Sequence, residues 1–106
     1  YRKRMILAVQ AMEQKIKNSN VTWIAPNGGF TIWVTLHNLN AGYDVINEIF
    51  LKNKLRVAMG KDFFPVPEKQ KHIRLAIASL NEREIAEGID KLSEAIKQIY
   101  NYREFE

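Results

Sequence analysis

The 106-residue sequence contains no cysteine. That absence excludes disulfide frameworks, thiolate metal sites and a cysteine nucleophile. Histidine is scarce: His37 and His72 stand far apart, with no ligand spacing around either, so no metal site is expected. Long apolar runs are missing too. Met5 to Val9 and Phe30 to Val34 are typical, whereas a membrane helix needs about 20 consecutive apolar residues. Tyr1-Arg2-Lys3-Arg4 leads into an amphipathic stretch and not into the apolar core of a signal peptide. These readings set two expectations, no membrane partner and a cytoplasmic location. Charge of one sign is also in short supply. Sixteen Lys and Arg against 12 Asp and Glu leave a net charge of +4. Outside Arg2-Lys3-Arg4 the two signs are interleaved. Nucleic-acid binding draws on a clustered basic face, so direct nucleic-acid contact is not expected.

What is present is a globular composition, 46% hydrophobic and 26% charged. It fits a single domain over residues 1–106, large enough to bury roughly 65% of its unfolded surface. The chain opens on Tyr1 within what reads as a helix, which sets the expectation that it is a fragment of a longer protein.

The periodicity lays out seven elements. Residues 1 to about 17 carry Met5, Val9, Met12 and Ile16 at helical spacing, with Ala8 beside them. Asn18-Ser19-Asn20 closes that helix, because short polar side chains compete with helical hydrogen bonds. Val21 to Ala25 reads as a strand, Pro26-Asn27-Gly28 as a tight turn and Phe30 to Leu36 as a second, half-buried strand. There Phe30, Ile32, Val34 and Leu36 share one face, and Thr31, Trp33 and Thr35 the other. Helical spacing returns over 41–52, with Asn40 as the expected N-cap. Leu55 to Met59 reads as a third strand, followed by a loop with Pro65 and Pro67. His72 to Ala78 reads as a fourth. Asn81 and Glu84 form a capping-box pattern ahead of a last helix striped with Ile85, Ile89, Leu92, Ile96 and Ile99. The order α-β-β-α-β-β-α predicts an α+β two-layer sandwich, with helices on one face of a small four-stranded sheet. The other face would show Trp33, Arg74, Ala76 and Ala78. It is too apolar for open water yet holds one arginine, as expected of a surface covered by a partner domain.

Few residues suggest chemistry. Asn27-Gly28-Gly29 lacks the glycine spacing and the following helix of a phosphate loop, and reads as a hairpin turn. His37 and His72 have no Ser or Asp partner at a catalytic spacing. Phe63-Phe64 reads as a loop anchor. Glu82, Glu84 and Glu87 suit the positive end of a helix dipole. Arg74 differs, because it lies mid-strand with a small residue, Ala76, next on its own face. That leaves room for a planar guanidinium to take a carboxylate through two parallel hydrogen bonds, or to serve as an edge-strand or ion-paired arginine.

Several segments together resemble the class I/II aminotransferases, pyridoxal-phosphate (PLP) enzymes of fold type I. Trp23-Ile24-Ala25-Pro26-Asn27-Gly28-Gly29-Phe30-Thr31-Ile32-Trp33-Val34 resembles their W-x-x-P-x-G-G-F-x-x-W-V stretch. Val57-Ala58-Met59-Gly60-Lys61-Asp62-Phe63-Phe64-Pro65 resembles their V-x-P-G-x-x-F loop. Ile73-Arg74-Leu75-Ala76-Ile77-Ala78, followed by Glu84 to Ile89, resembles their I-R-L-x-x-A strand and closing helix. The match runs in order from Tyr1 to about Tyr100. Met59 stands where the loop motif has proline, and Lys54 where a glycine often precedes the third strand.

The resemblance implies the C-terminal small domain of such a protein, with Arg74 at the position that grips the α-carboxylate of an amino-acid substrate. It implies PLP in the full-length parent and none bound by this fragment. The family's cofactor-bearing lysine, phosphate loop and pyridine-nitrogen aspartate belong to the large domain, and no segment here resembles them. No catalytic residue is therefore expected in this chain. The partners implied are its own large domain, a homodimer mate and an amino-acid substrate or effector. Two parents fit: a free aminotransferase, or a GntR-family regulator of the MocR type whose aminotransferase-like domain senses an effector. A free-standing interaction module is a third reading, and it leaves the ordered motifs unexplained.

Overall fold

Asn81 starts the longest helix as its sequence predicts. The computed structural model describes residues 2–24, 31–59, 70–76 and 80–102, and the α-helices in it are α1 (Arg2–Lys15), α2 (Tyr43–Lys52) and α3 (Glu82–Asn101). The Asn81 side chain accepts from the Glu84 N–H at 2.8 Å, and the Glu84 carboxylate accepts from the Asn81 N–H at 3.0 Å. Two otherwise orphaned donors are thereby satisfied reciprocally. The stripe from Ile85 through Ile99 is buried, each large side chain contributing about 1.5–3 kcal/mol over its exposed state.

α1 packs along α3. Ala8 and Met12 are fully buried; Ile16 lies just past the helix, its N–H still bonded to the Met12 carbonyl at 2.9 Å. Ser93 of α3 donates its hydroxyl to the Lys15 carbonyl at 3.0 Å, satisfying an acceptor that a helix C-terminus leaves open. Lys15 also pairs with Asp90.

α2 departs from expectation at its start. It begins at Tyr43 with Gly42 as an extended N-cap and no side-chain cap, so Asn40 does not cap it. Leu39 and Ala41 explain the shift: both are buried, and the extended approach is held by their packing. At the other end, Lys54 N–H donates to Leu51 C=O and Leu55 N–H to Phe50 C=O, both at 2.9 Å, with Lys54 at φ 60°. This is a Schellman motif with a lysine in its left-handed position, where glycine is the usual occupant.

The strands are β1 (Val21–Ile24), β2 (Thr31–Leu36), β3 (Ala58–Met59) and β4 (Lys71–Ala76). β1, β2 and β4 form an antiparallel sheet in that spatial order, and the two-residue β3 pairs along the far side of β4. The third strand is thus shorter than the Leu55–Met59 span its composition suggests, because only Ala58 and Met59 reach ladder partners. The turn over 26–28, Ala25, Phe30, the loop with Phe63-Phe64, Pro65 and Pro67, and Ile77 and Ala78 lie outside the described residues. The α+β class with three helices is as expected. Ile32, Val34 and Leu36 of β2 and Ile73 and Leu75 of β4 join one core with Met12, Ile46, Phe50 and the α3 stripe. The helices therefore cover one sheet face, and alternation along each strand sends the intervening residues to the other.

Candidate functional site

On that other face the register sets one row of four residues across the sheet. Trp33 stands opposite Arg74, and Arg74 stands opposite Ala58 across the next ladder. Ile24 stands opposite Trp33 on the outer side. Arg74 and Ala76 are exposed, Trp33 is half-buried and Ile24 retains 68% of its exposure. Arg74 thus lies at the middle of an open apolar face, between a tryptophan and an alanine, with another alanine two residues on. The guanidinium carbon lies 6.0 Å from the Trp33 ring centroid. Ala58 and Ala76 are its small neighbours, and the Arg74 side chain is exposed on this face.

At one end of the same face the structure gathers residues that sequence reasoning kept apart. His37 Nε2 lies 3.0 Å from Thr22 Oγ1, and His37 Nδ1 lies 3.1 Å from Gln70 Nε2. Gln70 thus offers an amide N–H toward His37 Nδ1, and the Thr22 hydroxyl meets the other ring nitrogen. His72 Nδ1 lies 3.1 Å from Thr35 Oγ1, and its backbone N–H donates to the Tyr43 hydroxyl at 3.0 Å. Burial, reinforced by the neighbouring His37, holds the His72 imidazole below the ordinary 6.5. Tyr100 donates to the His37 carbonyl at 2.7 Å, and burial pushes its hydroxyl up to about 12. The cluster knits the strand ends to α2 and α3. Among the described residues no group of three or more His, Asp or Glu is placed to hold a metal ion. His72 is part-buried and hydrogen-bonded.

A cleft of about 320 Å³ opens between the start of α3, the end of β4 and the segment before β3. Its floor includes Leu55, Leu75 and Ile89; Arg56, Lys91, Glu84 and Glu87 are among its polar lining.

No family model matches the chain, and no curated protein matches it in sequence. Solved structures do. It is similar to kynurenine aminotransferase of Pyrococcus horikoshii in complex with PMP, at 30% identity and a TM-score of 0.76, over 92% of this chain and 24% of that one. It is similar to a multiple substrate aminotransferase from Thermococcus profundus, at 28% identity and 0.79, over 92% and 24%. α-Aminoadipate aminotransferase of Thermus thermophilus, complexed with N-(5'-phosphopyridoxyl)-L-leucine, gives 25% and 0.80, over 93% and 25%. The fold is therefore aminotransferase-like, and the chain spans about a quarter of the length of the enzymes it matches.

A pyridoxal-phosphate cofactor, of the kind whose derivative is bound in the Thermus thermophilus structure, does not fit the described residues here. It requires a lysine amine beside donors for its phosphate. The buried lysine, Lys71, lies over the Tyr43 ring at 5.7 Å, on the core side of β4 and away from Arg74. In the cleft, Glu84 and Glu87 would face a phosphate dianion alongside Arg56 and Lys91.

Proposed function

We propose that this chain is the C-terminal small domain of a PLP-dependent, aminotransferase-like protein, and that Arg74 binds the α-carboxylate of its amino-acid substrate or effector. The observation that carries the reading is Arg74 itself. It is exposed at mid-strand on the uncovered face of a domain whose fold is aminotransferase-like, flanked by Trp33 and Ala58. In this reading β3 is the fourth strand of the small-domain sheet, and the rest of the parent covers the open face. PLP and the lysine that carries it sit in the large domain, with a homodimer mate completing the assembly. Bound in the large domain, the cofactor would supply an electron sink for the amino-acid α-carbon, and Arg74 would orient that carbon by holding the carboxylate through two parallel hydrogen bonds.

Of the two parents, the aminotransferase is favoured, because the named structural neighbours are aminotransferases. A GntR-family regulator of the MocR type would use the same arginine to sense an effector without turnover, and a DNA-binding helix-turn-helix upstream in the parent gene would identify it. The test is to titrate the full-length protein with amino acids and with amines lacking only the carboxylate. Wild type prefers the acids and Arg74→Ala loses that preference. A preference untouched by Arg74→Ala refutes the assignment.

A further inference from the structure

Arg74 and Trp33 are direct cross-strand partners, with the guanidinium carbon 6.0 Å from the indole centroid. At that separation the negative face of an indole attracts a cation. A guanidinium presents two distinct aspects: its flat face stacks, while its five N–H bonds lie in the plane and point outward at the edge. A guanidinium held by its face over an indole would therefore keep its edge for a carboxylate. An arginine on an open strand samples many rotamers, and fixing them when a ligand arrives costs affinity. A tryptophan has two side-chain torsions and is the stiffer platform. Trp33 is half-buried on its strand, whereas Arg74 is exposed.

We propose that Trp33 is a positioning residue for the carboxylate clamp: its indole face holds the Arg74 guanidinium flat on the sheet with the donor edge turned to the ligand. The inference rests on the reading of Arg74 given above and adds that the arginine is pre-set before substrate arrives.

The experiment uses the full-length protein and calorimetry with 4-methylpentanoate and its uncharged isostere 4-methylpentanamide, neither of which can react. The ratio of the two dissociation constants measures the clamp. Arg74→Ala is expected to bring that ratio close to one. Trp33→Leu is expected to lower it by about 5- to 30-fold while leaving the amide affinity unchanged, and Trp33→Phe to fall between. A purely structural role would weaken both ligands together, and that result overturns the proposal. Where Trp33→Leu does not fold, fluorinated tryptophans introduced at position 33 alone, by site-specific incorporation, serve instead. Each fluorine weakens the ring face at nearly constant shape, so the acid preference falls stepwise. A ratio that stays flat across that series, or at the wild-type value in Trp33→Leu, overturns the role of Trp33 while Arg74→Ala still abolishes the preference. A ratio that survives Arg74→Ala overturns the carboxylate reading itself.

Discussion

Thr35 and His72 are cross-strand partners, and the hydroxyl of one lies 3.1 Å from Nδ1 of the other. The contact holds the imidazole against the sheet, where partial burial and the nearby His37 disfavour its charged form.

Stability should consequently fall with acid in a way that His72 controls. Its folded pKa lies below the ordinary 6.5, so once the pH drops beneath that value the unfolded chain binds the proton more readily. The contribution is intact above the unfolded pKa and is lost as pH falls through the folded one. Thermal midpoints measured across this window should decline less steeply in His72→Gln than in wild type. Parallel curves would assign the acid sensitivity to other groups.

Lys54 holds the left-handed position of the α2 Schellman motif at φ 60°. Its side chain makes that conformation cost about 1–2 kcal/mol, which glycine escapes at an added unfolded-chain entropy of roughly 0.5–1 kcal/mol. Lys54→Gly should therefore raise the denaturation free energy by about 0.5–1 kcal/mol, read from the urea midpoint at unchanged slope. A loss of stability would show that the lysine contributes contacts outweighing its backbone strain.

On the proposed reading, Arg74→Ala in the full-length protein should cost ~2–5 kcal/mol of amino-acid binding, because the carboxylate would lose its charge partner. Arg74→Lys should recover part of that, since an ammonium keeps the charge and loses the two-pronged geometry. Cofactor colour should survive both changes, as the proposed function puts the cofactor site in the other domain. Equal binding by Lys and Arg variants would argue against bidentate recognition.

The 106-residue chain by itself should neither turn yellow with pyridoxal phosphate nor transaminate an amino acid. Lys71 is buried 8% exposed beside Tyr43, and Lys15 is paired with Asp90. Absorbance titration with the cofactor checks this. A band that disappears on replacing a single lysine would place a cofactor site within this domain after all.

Much of the fold was legible residue by residue. The α3 stripe and its Asn81–Glu84 box depend on neighbours within four positions, and β2 alternates Ile32, Val34 and Leu36 against Thr31, Trp33 and Thr35 over a single strand. Arg74 at mid-strand with Ala76 on its own face was visible for the same reason. Those features depend on backbone hydrogen bonds and a side-chain period that a short segment carries in itself. Other features were set only when the layers closed. The start of α2 moved past Asn40 because Leu39 and Ala41 had to be buried, and β3 kept two residues because only those reached β4. The pairings of Trp33 with Arg74 and Thr35 with His72, and the nearness of His37 to His72, arise from a register between strands about 40 residues apart. One slip of that register would turn Arg74 into the core and Ile73 out of it, so it was the collective burial of Ile32, Val34, Ile73 and Leu75, written in no single segment, that decided which side chains meet on the open face.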